Sequence, residues 1–190
     1  MNSSFAIDVD AQLIEQAARG CTSSCEQLYR LFQRPVYTLA YRFMQCPDDA
    51  QEVVQDVFIK ALSKLDRYRG DAPFWGWLRQ VAVNTALSAL RKRGRRKGEM
   101  SMSDLLENQL PSHVSQTSHG IDIHQAYSQL PATTRAVIWL HDVEGYTHAE
   151  IGKMMNRSTS FSKSQVARGH AAMRSGLEYE AGFDLCPQTS

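Results

Sequence analysis

Between Thr147 and Arg174 the chain carries residue types suited to holding a polyanion rather than cleaving one. Ser160, Phe161, Lys163, Ser164, Gln165, Arg168, His170 and Arg174 fall within one polar stretch. Small or polar residues at the start of a helix can meet base edges and phosphates, and Lys and Arg can reach a phosphate or a guanine edge. Just before them, Thr147-His148-Ala149-Glu150 fits a capping box, in which hydroxyl and carboxylate satisfy each other's backbone donors. A short helix ending near Met155, a turn at Asn156-Arg157-Ser158 and a longer helix from Ser160 read as a helix-turn-helix. Ile151, Met154, Val166 and Met173 are the apolar positions that would lock its helices together. An ordinary αα-hairpin with a solvated basic face fits the same pattern.

A second constellation mixes aromatics with cations. Tyr68, Phe74, Trp75 and Trp77 lie close to Arg67, Arg69 and Arg79, and one helix leads from them to Arg91, Lys92, Arg93, Arg95, Arg96 and Lys97. Exposed aromatics beside cations suit unstacked single-stranded bases, each stack being worth about 1–3 kcal/mol. Trp75 and Trp77 cannot share one helix face, so at least one is expected at the surface. Phe74, Trp77, Leu78 and Val81 could equally fill a small core, and the cations could form a solvated helix end.

A third is acidic. Asp49, Glu52 and Asp56 recur at three-to-four spacing and share a helix face, with Asp48 beside them. Such a face could hold a metal, work as an acid–base pair or dock a protein. No histidine accompanies it and no nucleophile has a matched base, so a solvated or docking face is the reading. His113, His119, His124, His141, His148 and His170 are dispersed without zinc-ligand spacing. Cys21, Cys25, Cys46 and Cys186 are too scattered for a disulfide scaffold; Cys21 and Cys25, four apart, read as unpaired thiols rather than a metal or redox pair. No phosphate-cradling glycine loop or nucleophile elbow is present, and no cofactor is expected.

Charge distribution supports the polyanion reading. Over 190 residues the net charge is only +1. Residues 91–98 nevertheless carry six cations and no acid, whereas residues 99–130 carry four acids and no Lys or Arg. Polyanion binding needs such local concentration, not a high average. With 43% apolar side chains the chain can build packed cores. No stretch approaches the roughly 20 apolar residues of a membrane span. Residues 1–10 lack a basic start and an apolar run, so a cytoplasmic chain without secretion signal or membrane insertion is expected.

The elements that must position these groups all read as helices. Asp10 can cap a helix ending before Gly20. An amphipathic run from about Ser24 to Gln45 contains Pro35, which predicts a kink or break. A helix opens at Asp48, the loop DRYRGDAP follows, and another helix runs from about Pro73 to Arg93. Residues 99–120, rich in Ser, Gln and His, read as a flexible linker, with a short helix around Leu105. Four helices follow, at about 122–129, 132–143, 147–155 and 160–177. The expected fold is all-α, with two small helical domains at 1–98 and 121–190 joined by the 99–120 linker.

From about Leu28 to Leu177 this order of motifs resembles the bacterial alternative sigma factors of the extracytoplasmic-function group. DDAQEVVQDVFIKAL resembles the family's regions 2.1–2.2, and FWGWLRQVAVNTALSALRKRGRR its regions 2.3 and 2.4. LPATTRAVIWLHDVEGYTHAEIGKMM, followed by NRSTSFSKSQVARGHAAMR, resembles region 4. The resemblance implies a non-catalytic subunit that directs core RNA polymerase to promoter DNA. It implies docking on the β′ clamp helices through Asp49, Glu52, Gln55, Asp56 and Phe58. Trp75, Trp77 and Asn84 would open the downstream promoter element, the loop from Asp66 to Ala72 with Tyr68 would hold a flipped-out base, and Arg91 to Lys97 would grip the backbone. Ser160, Phe161, Lys163, Ser164, Gln165 and Arg168 would read the upstream element, with the β flap as a second polymerase contact. An anti-sigma partner is also implied. A stand-alone helix-turn-helix regulator, binding duplex without polymerase, is the alternative.

Overall fold

A computed structural model describes residues 5–96 and 123–181, and every described element is helical. The linker expected at 99–120, the short helix near Leu105, Lys97 and Cys186 lie outside the described residues. The chain divides into two compact units, Met1–Gly98 and Glu99–Ser190.

The first unit begins with α1 (Ala11–Ala18), where the Asp10 carboxylate accepts from the Gln12 amide at 3.0 Å, as its N-cap position predicts. Gly20, at φ +86°, makes the left-handed turn that ends it. α2 (Thr22–Met44) runs through Pro35 as one helix, so of the kink or break expected there the break does not form. Proline removes one hydrogen bond, to the carbonyl of Leu31. The burial of Phe32, Pro35, Val36 and Leu39 around that point holds the helix together, each large apolar side chain contributing about 1.5–3 kcal/mol.

α3 (Pro47–Leu62) starts with proline in its first turn and Asp48 and Asp49 beside the positive end of the helix dipole. A 3₁₀ turn at Leu65–Arg67 leads to α4 (Phe74–Arg96). α2, α3 and α4 pack together. Leu28, Phe32, Val36, Leu39 and Phe43 face Val53, Val54 and Val57 from α3 and Leu78, Ala82, Val83, Ala86 and Leu87 from α4, all buried.

The second unit comprises α5 (Ile123–Gln129), α6 (Ala132–Ile138), α7 (His148–Met155) and α8 (Thr159–Ala181). The helix expected to reach Val143 as one element changes winding at Trp139. Residues Trp139–Val143 form a π turn, closed by the Glu144 amide on the Trp139 carbonyl at 3.0 Å. Tyr127, Leu130 and Ile138 form a buried cluster against which Trp139, Ala172 and Met173 pack. Buried Arg135 is reconciled with this core because its Nη1 donates to the carbonyls of Ser128 and Leu130, and Tyr127 donates to the Arg135 carbonyl at 2.9 Å.

Candidate nucleic-acid interface

Local rules place the recognition helix. The capping box forms as read: Thr147 Oγ1 accepts from the Glu150 amide at 3.3 Å, and Glu150 Oε2 accepts from the Thr147 amide at 2.8 Å. α7 ends at Asn156, whose φ of 56° turns the chain, and the Arg157 amide closes on the Gly152 carbonyl at 2.8 Å. Ser158 then caps α8, accepting from the Phe161 amide at 3.2 Å. The turn is tight enough that a Cβ on Gly152 would sit 2.9 Å from the Arg157 carbonyl oxygen and 3.1 Å from that of Ser158. Backbone cannot yield as a side chain can. Gly152→Ala is therefore expected to lose about 1–3 kcal/mol to overpacking against about 1 kcal/mol gained in helix propensity. Denaturant unfolding of the full chain measures the net loss.

α8 presents Ser160, Lys163, Ser164, Ala167, Arg168, Ala171 and Arg174 to solvent, with Phe161 half-buried. Five are hydroxyls or cations and two are alanines, so the surface has reach and little bulk. The Arg157 guanidinium lies 6.0 Å over the Phe161 ring, and Arg168 Nε donates to the Ser164 carbonyl at 3.4 Å. Gln165 is a correction. It is 6% exposed and its Oε1 accepts from Thr134 Oγ1 at 2.7 Å, so it fastens α8 to α6 instead of facing DNA. Ile151 and Val166 are buried and Met154 and Met173 half-buried, as the locking role requires.

Behind the motif lies a titratable cluster that sequence spacing did not reveal. His141 and His148 stack at 4.3 Å, Asp142 accepts from or pairs with His141 Nδ1 at 2.7 Å and His170 Nε2 at 2.6 Å, and His148 Nδ1 meets the buried Ser162 Oγ at 3.1 Å. Desolvation, then His141 and Lys163, hold the His148 pKa below its ordinary value against an opposing pull from Asp142. Folding therefore favours neutral His148. Its contribution to stability is complete above about pH 6.5 and declines as pH falls below that, where the unfolded chain takes up the proton first. The thermal midpoint of the second unit, followed in the full chain, is expected to be lower below about pH 6.5 than at neutral pH, and His148→Asn should flatten that difference.

In the first unit, α4 starts under a loop shaped by Tyr68. The Tyr68 hydroxyl donates to the Ala72 carbonyl at 2.5 Å, spanning a left-handed turn at Gly70 (φ +77°). Burial, with Asp71 nearby, raises the phenol pKa and keeps the donor protonated. The Tyr68 ring packs on Phe74 at 5.5 Å and Trp77 at 5.7 Å. Phe74 and Leu78 belong to the core, whereas Trp75 and Trp77 are both half-buried, and the Arg79 guanidinium lies 5.3 Å over Trp75. From Trp77 an exposed stripe follows at helical spacing through Gln80, Asn84 and Ser88 to Lys92 and Arg95, with Arg91 half-buried alongside. Nothing is described for the side chain of Arg96.

The docking candidates on α3 differ in exposure. Glu52, Gln55 and Asp56 are exposed, joined by Ile59 at 67% exposure. Phe58 is 6% exposed and its ring lies 4.7 Å from that of Tyr29, so it packs α3 on α2. Asp49 is half-buried and bonded to Arg93 at 2.9 Å, a pairing between two groups read as serving different partners. Cys21 and Cys25 face different neighbours, Ser23 Oγ at 3.2 Å and the Ala17 carbonyl at 3.7 Å, and hydrogen bonding with Ser23 and Ser24 lowers the Cys21 thiol to about 7.

Residues 28–96 match the family model for sigma-70 region 2, and residues 121–173 that for sigma-70 region 4. The chain is a sigma factor of the sigma-70 family. Its relatives place it in the extracytoplasmic-function group. It is 29% identical over 186 residues to the RNA polymerase sigma-H factor of Pseudomonas aeruginosa, covering 89% of this chain and 94% of that one. It is 31% identical over 159 residues to the sigma factor SigE of Mycolicibacterium smegmatis (81% and 62%), and 28% over 177 residues to the sigma-E factor of Escherichia coli (86% and 92%). The sigma factor RpoE of Bartonella quintana, solved with the anti-sigma factor NepR, shares its fold at a TM-score of 0.54 and 24% identity, covering 80% of this chain and 96% of that one. CnrH, solved with the cytosolic domain of CnrY, does so at 0.55 and 23%, covering 90% and 99%. This sigma factor directs promoter-specific transcription initiation with RNA polymerase. Sigma factors are in general initiation factors rather than catalysts. No helix among the described residues is long and apolar enough to cross a membrane.

Proposed function

We propose that this sigma factor meets core polymerase through Glu52, Gln55 and Asp56 on α3, against the β′ clamp helices, with its second unit on the β flap. The α4 stripe from Trp77 to Arg95, with the Tyr68 loop and Trp75, captures unstacked bases of the downstream element and grips its backbone. Ser160, Phe161, Lys163, Ser164 and Arg168 read the upstream element in the major groove. Residues 1–98 and 121–190 work as separate modules, and residues 99–120 set their spacing. Opening is driven by binding to unpaired bases and not by chemistry on the chain, which has no catalytic site of its own. The protein works in the cytoplasm and is restrained by an anti-sigma partner, as relatives solved with NepR and CnrY suggest.

The observation carrying this reading is that in each unit the DNA-matched residues fall largely along one exposed stripe of a single helix, fixed behind by a buried face. Binding of the purified protein to core polymerase, followed by run-off transcription from randomised promoter templates, tests it. Association with selective initiation is expected and yields the promoter sequence. Tight binding to duplex DNA without any association with polymerase would overturn it in favour of a stand-alone regulator.

A further inference from the structure

We infer that Arg93 and Asp49 are positioning residues acting as one unit, a strut that fixes the basic end of α4 on the corner between α2 and α3. The inference rests on the reading that this end of α4 grips promoter backbone, and it removes both residues from the direct contacts that the family pattern gives them. Arg93 Nη1 forms an ion pair with Asp49 Oδ2 at 2.9 Å and donates to the Met44 carbonyl at 2.5 Å.

The three partners come from three helices, and helix-end chemistry explains the arrangement. Met44 is the last residue of α2, so its carbonyl has no partner within the helix, and a cation there is favoured by the dipole. Asp49 lies in the first turn of α3, where a carboxylate is favoured for the same reason. One guanidinium from α4 thus serves the negative end of α2 and a carboxylate at the positive end of α3. With side chains 32% and 41% exposed, the ion pair by itself contributes little to global stability. Its contribution is direction. Beyond Leu90 no described side chain of α4 is buried, so the polar tie falls where the apolar anchors have run out. It lies between Lys92 and Arg95, both exposed, and sets which way they point. With Nη1 committed to two acceptors, Arg93 is held toward the bundle and not toward a phosphate.

The test uses holoenzyme assembled from full-length variants and reads three quantities: core-polymerase affinity, the salt dependence of promoter binding, and the rate of opening, followed by fluorescence of an adenine analogue in the downstream element. Arg93→Ala is expected to slow opening about tenfold, Asp49→Ala by less because Arg93 keeps the Met44 carbonyl, and the double variant no more than Arg93→Ala, because the carboxylate acts only through the guanidinium. Neither should change polymerase affinity or the slope of log affinity against log salt. Arg93→Lys should recover part of the rate, since an ammonium can still reach one acceptor. If Arg93→Ala lowered the salt slope by about one while Asp49→Ala did not, Arg93 would be a phosphate contact. If Asp49→Ala alone weakened polymerase binding, Asp49 would be a docking residue; additive effects would also overturn the strut. Lys92→Ala with Arg95→Ala is the reference. If that variant left both opening and the salt slope unchanged, the failure would lie in the reading that α4 grips DNA, and the strut would fall with it.

Discussion

Lys163→Ala combined with Arg168→Ala is expected to lower initiation from the cognate promoter by about a hundredfold, while affinity for core polymerase stays within twofold. The magnitude follows from two exposed cations in the first half of α8. A good base-edge contact is worth about 1–3 kcal/mol, and each 1.4 kcal/mol is about tenfold. Run-off transcription beside a polymerase-binding titration separates the two quantities. Equal loss of polymerase binding would remove α8 from the upstream element. Gln165→Ala sharpens the contrast, because its side chain is bonded to Thr134 inside the unit. It should leave Thr134 without a partner and destabilise the second unit by about 1–3 kcal/mol, with promoter sequence preference unchanged.

The second large effect concerns α3. Glu52→Lys with Asp56→Lys is expected to weaken association with core polymerase at least tenfold at low salt and to reverse the sign of its salt dependence. Both carboxylates are exposed, so their contribution is steering and complementarity toward a basic partner surface, which reversal turns into repulsion. Raising ionic strength screens that repulsion over a Debye length of about 10 Å at 0.1 M, so the variant should gain affinity with salt where the parent loses it. Unchanged affinity at low salt would remove the docking role from α3. Phe58→Ala is the structural control: the ring is buried against Tyr29, and its loss should cost about 3–5 kcal/mol of stability rather than act on docking directly.

The sequence by itself determined the kind and order of the elements, because those depend on residues close together in the chain. Period and capping placed α1 behind Asp10, α7 behind the Thr147–Glu150 box and α8 after a short polar turn. They also placed the cations and hydroxyls of α8 at its start. What the family resemblance could not supply was the inward or outward fate of single side chains given a surface role, Phe58 and Gln165 among them. Gln165 lies between exposed Ser164 and buried Val166, and Phe58 between buried Val57 and exposed Ile59, so both stand at the edge of a buried face, where a few tens of degrees of helix rotation decide what is covered. Pro35 broke no helix, since tertiary burial around it outweighs one missing hydrogen bond.

Tertiary structure alone decided the pairings across elements. Arg93 meets Asp49 and the Met44 carbonyl, and His170 meets Asp142, over sequence separations at which no local rule operates. The stack of His141 on His148 depends on a π turn that shifts the helix register just before α7. Such contacts form only after apolar faces have fixed where the helices cross. The groups that could make chemistry were therefore readable in the chain, and their partners were not, because a partner is chosen by packing geometry that burial of the core sets first.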